Sequence, residues 1–256
     1  MPRWLHKTAN YCVNRIDRIL ARGQQDAEGF LQLGADPERL RVVGNIKYAG
    51  IDYSTQQCSI EFDRPFVLAA STHAGEEALL AAVWKSLTVS SHLLVIAPRY
   101  PERRQAVLHE LEHAGLRVAV HSKKEIIQPD TDVYLVDTLG ELAGFMAKAD
   151  IVFVGGSLVP RGGQNVLEPA RLGKPIITGP YSFTFAEDIE AMLNEDAIIC
   201  VSDTEALKEK IGELLQNSVR AQQIGGNARS FMQARADVAE HYLNEIKQLG
   251  WLGKGN

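Results

Sequence analysis

The chain has 256 residues, is 45% apolar and 23% charged, and carries a formal net charge of −5 at pH 7. That composition is ordinary for a soluble globular protein of one domain or one and a half, and its acidity argues against a general nucleic-acid binder. Cys12, Cys58 and Cys200 are scattered without metal-ligand spacing or a disulfide framework, which suits a reducing cytosol. There is no signal peptide and no run near the roughly 20 apolar residues of a membrane span.

Met1–Arg22 carries Arg3, Lys7, Arg15, Arg18 and Arg22 against one acid, Asp17, interleaved with Trp4, Leu5, Tyr11, Val13 and Ile16. The pattern fits either a basic amphipathic segment lying on an anionic membrane surface or a solvated helix leading into a strand over Ile16–Leu20. Gln24–Leu33 reads as a helix stopped by Gly34. Asp36-Pro37 opens a turn with proline at a first helical position, and Arg41–Val43 reads as a short strand. Residues 53–64 are polar and aperiodic and read as a linker, which divides the chain into 1–52 and 65–256.

From Phe66 the pattern becomes regular. Strands are expected at 66–70, 92–97, 117–120, 133–136, 151–154, 174–178 and 197–201. Helices are expected at 77–86, 104–114, 141–148, 185–194 and 204–216, with a long helical stretch over 220–249. Thr138/Glu141, Thr184/Glu187 and Ser202/Glu205 have capping-box spacing. The alternation predicts an α/β fold, a Rossmann-like doubly wound parallel sheet covered on both faces. In such sheets ligands sit at the carboxyl ends of the strands.

The stretch IVFVGGSLVPRGGQNVLEPARLGKPIITGP, residues 151–180, is the centre of the pattern. A buried strand ends in Gly155-Gly156-Ser157, and a second glycine pair, Gly162-Gly163, follows a short loop. Asn165 and Glu168 then have capping-box spacing at a helix start that tolerates Pro169. A strand, a glycine loop and a helix N-terminus make an anion site. The stretch therefore reads as a phosphate cradle with Glu168 placed for a ribose. An ordinary βαβ turn, in which Glu168 only caps its own helix, is the plainer alternative. Neither GxGxxG nor GxxxxGK[ST] is present.

Four further segments directly follow predicted strands. In STHAGEE, Ser71 and Thr72 are candidate donors to a phosphate or sugar carboxylate, or simply a helix cap. His73 is a candidate general acid or sugar donor, and Glu76 and Glu77 complement the helix dipole. In PRYPERR, Arg99 suits a bidentate phosphate or carboxylate contact, or a surface ion pair, while Arg103 and Arg104 read as solvated. VDTLGEL and TGPYSFTF complete the set, and all five segments are expected to face one crevice.

STHxGEE, PRxPER, DTxGEL and NxLEP in this order, together with GGS…GG.N.LEPA…GP, resemble the bacterial Kdo transferases. These are glycosyltransferases that use CMP-Kdo (Kdo, 3-deoxy-D-manno-octulosonic acid) in lipid A biosynthesis. Gln164 and Tyr100 stand where that family commonly has histidine. The resemblance implies an inverting, metal-independent enzyme of the two-domain GT-B architecture, with no cofactor. It implies CMP-Kdo and CMP as ligands, Glu168 at the ribose hydroxyls, Asn165 and Gly156–Ser157 near the phosphate, Arg99 near the cytidine monophosphate, and Gly155 and Gly163 among the donor-binding residues. It further implies a lipid A precursor as acceptor, and action at the cytoplasmic face of the inner membrane, through an N-terminal domain that carries the catalytic base. Only the tail of that domain is expected here. The chain is then the donor-binding half, inactive alone, with no catalytic residue of its own. A UDP-sugar-binding GT-B protein, such as a 2-epimerase, and a non-catalytic nucleotide-binding module remain the alternatives.

Overall fold

The computed structural model describes residues 3–49, 62–87 and 91–250. The chain divides into two compact units: residues 52–233, and residues 1–51 together with 234–256. Positions 53–61 of the expected linker, with Cys58, lie outside the described residues.

In the smaller unit α1 (Arg3–Val13) precedes β1 (Ile19–Ala21), which starts three residues later than its sequence predicts. After α2 (Gln24–Gln32), β2 (Leu40–Val42) pairs with β1 in parallel. The expected stops and turns hold: Gly34 has φ +87°, and the Asp36 side chain accepts from the Glu38 N–H at 2.9 Å. Val13, Ile19 and Ala35 form a small core.

The larger unit follows the predicted alternation. Its elements are β3 (Phe66–Thr72), α3 (Glu76–Leu87), β4 (Leu93–Pro98), α4 (Arg104–His113), β5 (Val118–Val120), β6 (Val133–Leu135), α5 (Leu142–Lys148), β7 (Ile151–Val154), α6 (Leu167–Arg171), β8 (Ile176–Thr178), α7 (Ala186–Asn194), β9 (Ile199–Cys200), α8 (Thr204–Gln216) and α9 (Ser218–Gln233). Seven strands form one sheet in the order β5-β6-β4-β3-β7-β8-β9, and every pairing is parallel. Sheets of this kind are covered on both faces, so their strands are continuously apolar. One face, with Val67, Ala69, Leu94, Ile96, Val133 and Phe153, packs on Leu80 and Trp84 of α3, Val107 and Leu111 of α4, and Leu207 and Ile211 of α8. Chain order reverses between neighbours β3 and β7, which makes their carboxyl ends the switch point where a doubly wound sheet opens a ligand crevice.

The long helix expected over 220–249 is two helices. Residues 234–237 separate α9 from α10 (Val238–Gln248). The expected domain of 65–256 accordingly gives up its last residues to the smaller unit, because α10 packs there. The Tyr242 hydroxyl donates to the Gly44 carbonyl at 3.1 Å, and Arg18 pairs with Glu245 at 3.5 Å.

Candidate functional site

The crevice begins at a kink. Ser71 sits at φ +55°, left-handed backbone that a residue with a Cβ adopts only under strain. The pairing register of β3 with β4 shifts between Ala70 and Thr72, and the chain turns off the strand there. Gly155 at the end of β7 donates its N–H to Ala70 at 2.8 Å. A Cβ at Gly155 would lie 2.6 Å from the Ser71 carbonyl oxygen, so only glycine lets the two strand ends approach.

The glycine loop does not present its N–H groups to an incoming phosphate. The buried Glu76 carboxylate takes them. It accepts from Gly156 at 2.6 Å, Ser157 at 2.9 Å and Leu158 at 2.9 Å, and from His73 N–H at 2.9 Å. Gly163 N–H goes to the Gly156 carbonyl at 2.8 Å, and the Ser157 hydroxyl to Val154 at 2.6 Å. The anion nest expected from Gly155, Gly156, Ser157 and Gly163 is real, but its anion belongs to the protein. A fully buried carboxylate needs compensating donors, and three successive loop amides with a fourth from the turn supply them. Glu76 is thus far more than a dipole partner for α3, and sequence spacing could not reveal a contact 80 residues away.

Two more expectations change for the same reason. The Thr72 hydroxyl donates to buried Glu77 at 2.9 Å, so it is not turned to a ligand. Arg103, read as solvated, makes two bonds to Glu77, at 2.8 and 3.2 Å. α6 is five residues long, too short for a strong dipole, and Asn165 does not form the expected capping box. Its side-chain oxygen accepts from Leu167 N–H at 3.0 Å and its amide donates to Glu168 at 3.1 Å. That turn ties Glu168 in place, half-buried.

His73 is the hub of what remains open. Its Nε2 meets the Gln164 side-chain amide nitrogen at 3.0 Å. Tyr100 stands edge-to-face to the ring, with centroids 5.6 Å apart. The Arg99 guanidinium lies over the Tyr100 ring, 5.9 Å from its centre, and makes no ion pair among the described residues. Burial and the charge of Arg161 lower the His73 pKa, outweighing the carboxylates of Glu76 and Glu77. These contacts join His73, Gln164, Tyr100 and Arg99 at the ends of β3, β4 and β7, and Asn165 and Glu168 follow directly in the chain after Gln164. TGPYSFTF adjoins it: Tyr181 N–H donates to the Ser157 carbonyl at 2.9 Å.

VDTLGEL forms a different cluster. The expected Thr138/Glu141 box is absent, since the helix cap position is Glu141 itself, without a side-chain cap. Its carboxylate instead takes Thr138 at 2.7 Å and His121 at 2.8 Å. Thr138, His121 and Glu141, with Tyr134, Phe62 and Ile126, line a cavity of about 1000 Å³ that none of the crevice residues touches.

A sequence model of the family described as 3-deoxy-D-manno-octulosonic-acid transferase (kdotransferase) matches residues 1–50. A 3-deoxy-D-manno-octulosonic acid transferase of Haemophilus influenzae is 32% identical over 250 residues, covering 90% of this chain and 58% of that protein. The crystal structure of the C-terminal CMP-Kdo binding domain of WaaA from Acinetobacter baumannii matches with a TM-score of 0.63 and 32% identity, over 67% of this chain and 90% of that domain. The chain belongs to the Kdo transferase family. Its fold is the α/β GT-B fold of glycosyltransferases: Anabaena HepE, solved with UDP and glucose, shares it at a TM-score of 0.60 and 15% identity. The chain spans somewhat over half the length of the H. influenzae relative. Among its described residues no helix is long and apolar enough to cross a membrane.

Proposed function

We propose that the chain is the donor-binding part of an enzyme that transfers Kdo from CMP-Kdo to a lipid A precursor, lipid IVA. The observation that carries this is the 32% identity to a CMP-Kdo binding domain of which the chain covers 90%. In this reading Glu168, tied by Asn165, holds the ribose hydroxyls, and Arg99, exposed and without an ion pair among the described residues, meets the phosphate. An acceptor hydroxyl attacks the anomeric carbon as the bond to the CMP oxygen breaks. The arginine charge, held in place before the reaction, stabilises the departing phosphate, with no metal required. Transfer is a property of a longer protein, whose additional part binds the acceptor at the cytoplasmic face of the inner membrane and supplies the base.

The test is a calorimetric titration of the chain with CMP, UMP and UDP, with and without a chelator. Preference for CMP, unchanged by the chelator, supports the reading. Preference for UDP moves the chain to a UDP-sugar GT-B protein, and measurable transfer to lipid IVA by these 256 residues alone refutes the partial role.

A further inference from the structure

We propose that Gln164 is a positioning residue that holds the His73 imidazole neutral with its proton on Nδ1, so that this N–H is offered to an anionic oxygen of the ligand. A glutamine amide nitrogen only donates, so the His73 Nε2 that faces it at 3.0 Å carries the lone pair. The proton is then on Nδ1, which meets no acceptor among the described residues. The Tyr100 ring packs edge-to-face on the imidazole, at 88° to it, and constrains the ring plane. His73 is only half-buried, which leaves Nδ1 within a ligand's reach.

The surrounding charges favour an anion there. From α3, Glu76 and Glu77 are already met, by four backbone N–H groups and by Arg103 with Thr72. From the loop after β7, Arg161 acts on His73 and lowers its pKa, as burial does more strongly. After β4 come Arg99 and the phenol of Tyr100. A neutral donor has a specific merit in this position. An imidazolium would lose its charge, and its affinity for an anion, as pH rises through its pKa, whereas an Nδ1–H held by Gln164 is present throughout the neutral and alkaline range.

The inference rests on the crevice being the donor site, and the experiment separates the two. Nitrogen-15 NMR of the histidine-labelled chain, with His73→Gln to assign the signal, reports the tautomer without any ligand. The expected result at pH 7.5 is a protonated Nδ1 and a bare Nε2. Gln164→Leu should give mixed tautomers and a raised titration midpoint. Gln164→Glu, whose carboxylate can only accept from the ring, should move the proton to Nε2 and raise the midpoint further. A protonated Nε2 in the parent chain, or an unchanged signature in Gln164→Leu, overturns the proposal. Inorganic phosphate, free Kdo and CMP are then titrated. An Nδ1 response to phosphate and CMP assigns the donor to the phosphate, and a response to Kdo alone assigns it to the carboxylate. In Gln164→Glu the responding ligand should bind about three- to tenfold more weakly. Calorimetric binding of CMP and Kdo with His73 unmoved overturns the ligand half while the donor-site reading survives. No binding of any of the three overturns the donor-site reading and the ligand half together, and the tautomer result still decides the role of Gln164.

Discussion

Glu77 has no exposed surface, and Arg103 and Thr72 are the partners that meet its carboxylate there. Removing one partner of a buried pair leaves an uncompensated charge. Arg103→Met should therefore destabilise the chain by about 3 kcal/mol, read from urea unfolding, and Glu77→Leu added to it should recover part of the loss. A full additive loss in the double variant would show that packing, not charge, is at stake. Glu168 offers the functional counterpart. If it holds both ribose hydroxyls, Glu168→Ala should weaken CMP binding by about 1–3 kcal/mol. Unchanged affinity in a folded variant would return Glu168 to its bond with Asn165 alone.

Elements are joined by carboxylates in this fold, and Asp137 shows how. It follows β6, accepts from Ser122 after β5 through the backbone N–H at 2.9 Å and the hydroxyl at 2.6 Å, and pairs with Arg104 at the start of α4 at 3.2 Å. Burial alone would raise its pKa, but the Ser122 donors and Arg104 outweigh burial and hold it below the ordinary carboxylate value. A depressed folded pKa stabilises above the unfolded pKa, and that stability is lost as pH falls through the folded value. Asp137→Asn should thus cost most stability near pH 6–7, and the gap to the parent should close on acidification below about pH 4. A gap independent of pH in urea titrations would rule this out.

These carboxylates also mark where the sequence was legible. Strands β3, β4 and β7 stand near their predicted positions because buried parallel strands are written as uninterrupted apolar runs. The caps did not hold. At α8 the capping side chain is Asp203, which accepts from Ala206 N–H at 2.9 Å, not Ser202. At α7 the cap position is Phe185, without a side-chain bond, not Thr184. Spacing names a pair, but a cap depends on which residue leaves helical geometry, and tertiary contacts such as Thr184 N–H to Gly162 at 2.9 Å decide that. The Glu76 nest was invisible for a related reason: three of its four donors lie on a different crossover from the carboxylate and meet it only once the sheet is assembled.

At the scale of the whole molecule, the unexpected feature is that the last helix among the described residues belongs to the first unit. Periodicity over 220–249 is continuous enough to read as one helical stretch, and nothing in it says which core it serves. The contacts do. A Cβ on Gly44, which has φ +98°, would lie 2.8 Å from the Val238 side chain, so β2 runs close under the start of α10. Tyr242 and Glu245 add the bonds to Gly44 and Arg18, and Arg235 lies 6.0 Å from the centre of the Tyr48 ring. A two-stranded sheet with a core as small as Val13, Ile19 and Ala35 is marginal without such support. Deleting residues 234–256 should consequently abolish hydrogen-exchange protection in β1, β2 and α2 while β3, β4 and β7 keep theirs within about 1 kcal/mol. CMP affinity should be unchanged if Arg99 and Glu168 carry it, since both stand in the larger unit. Loss of protection in both units would mean that the two fold as one cooperative body. Unchanged protection of β1 and β2 would mean that α10 rests on the smaller unit without stabilising it.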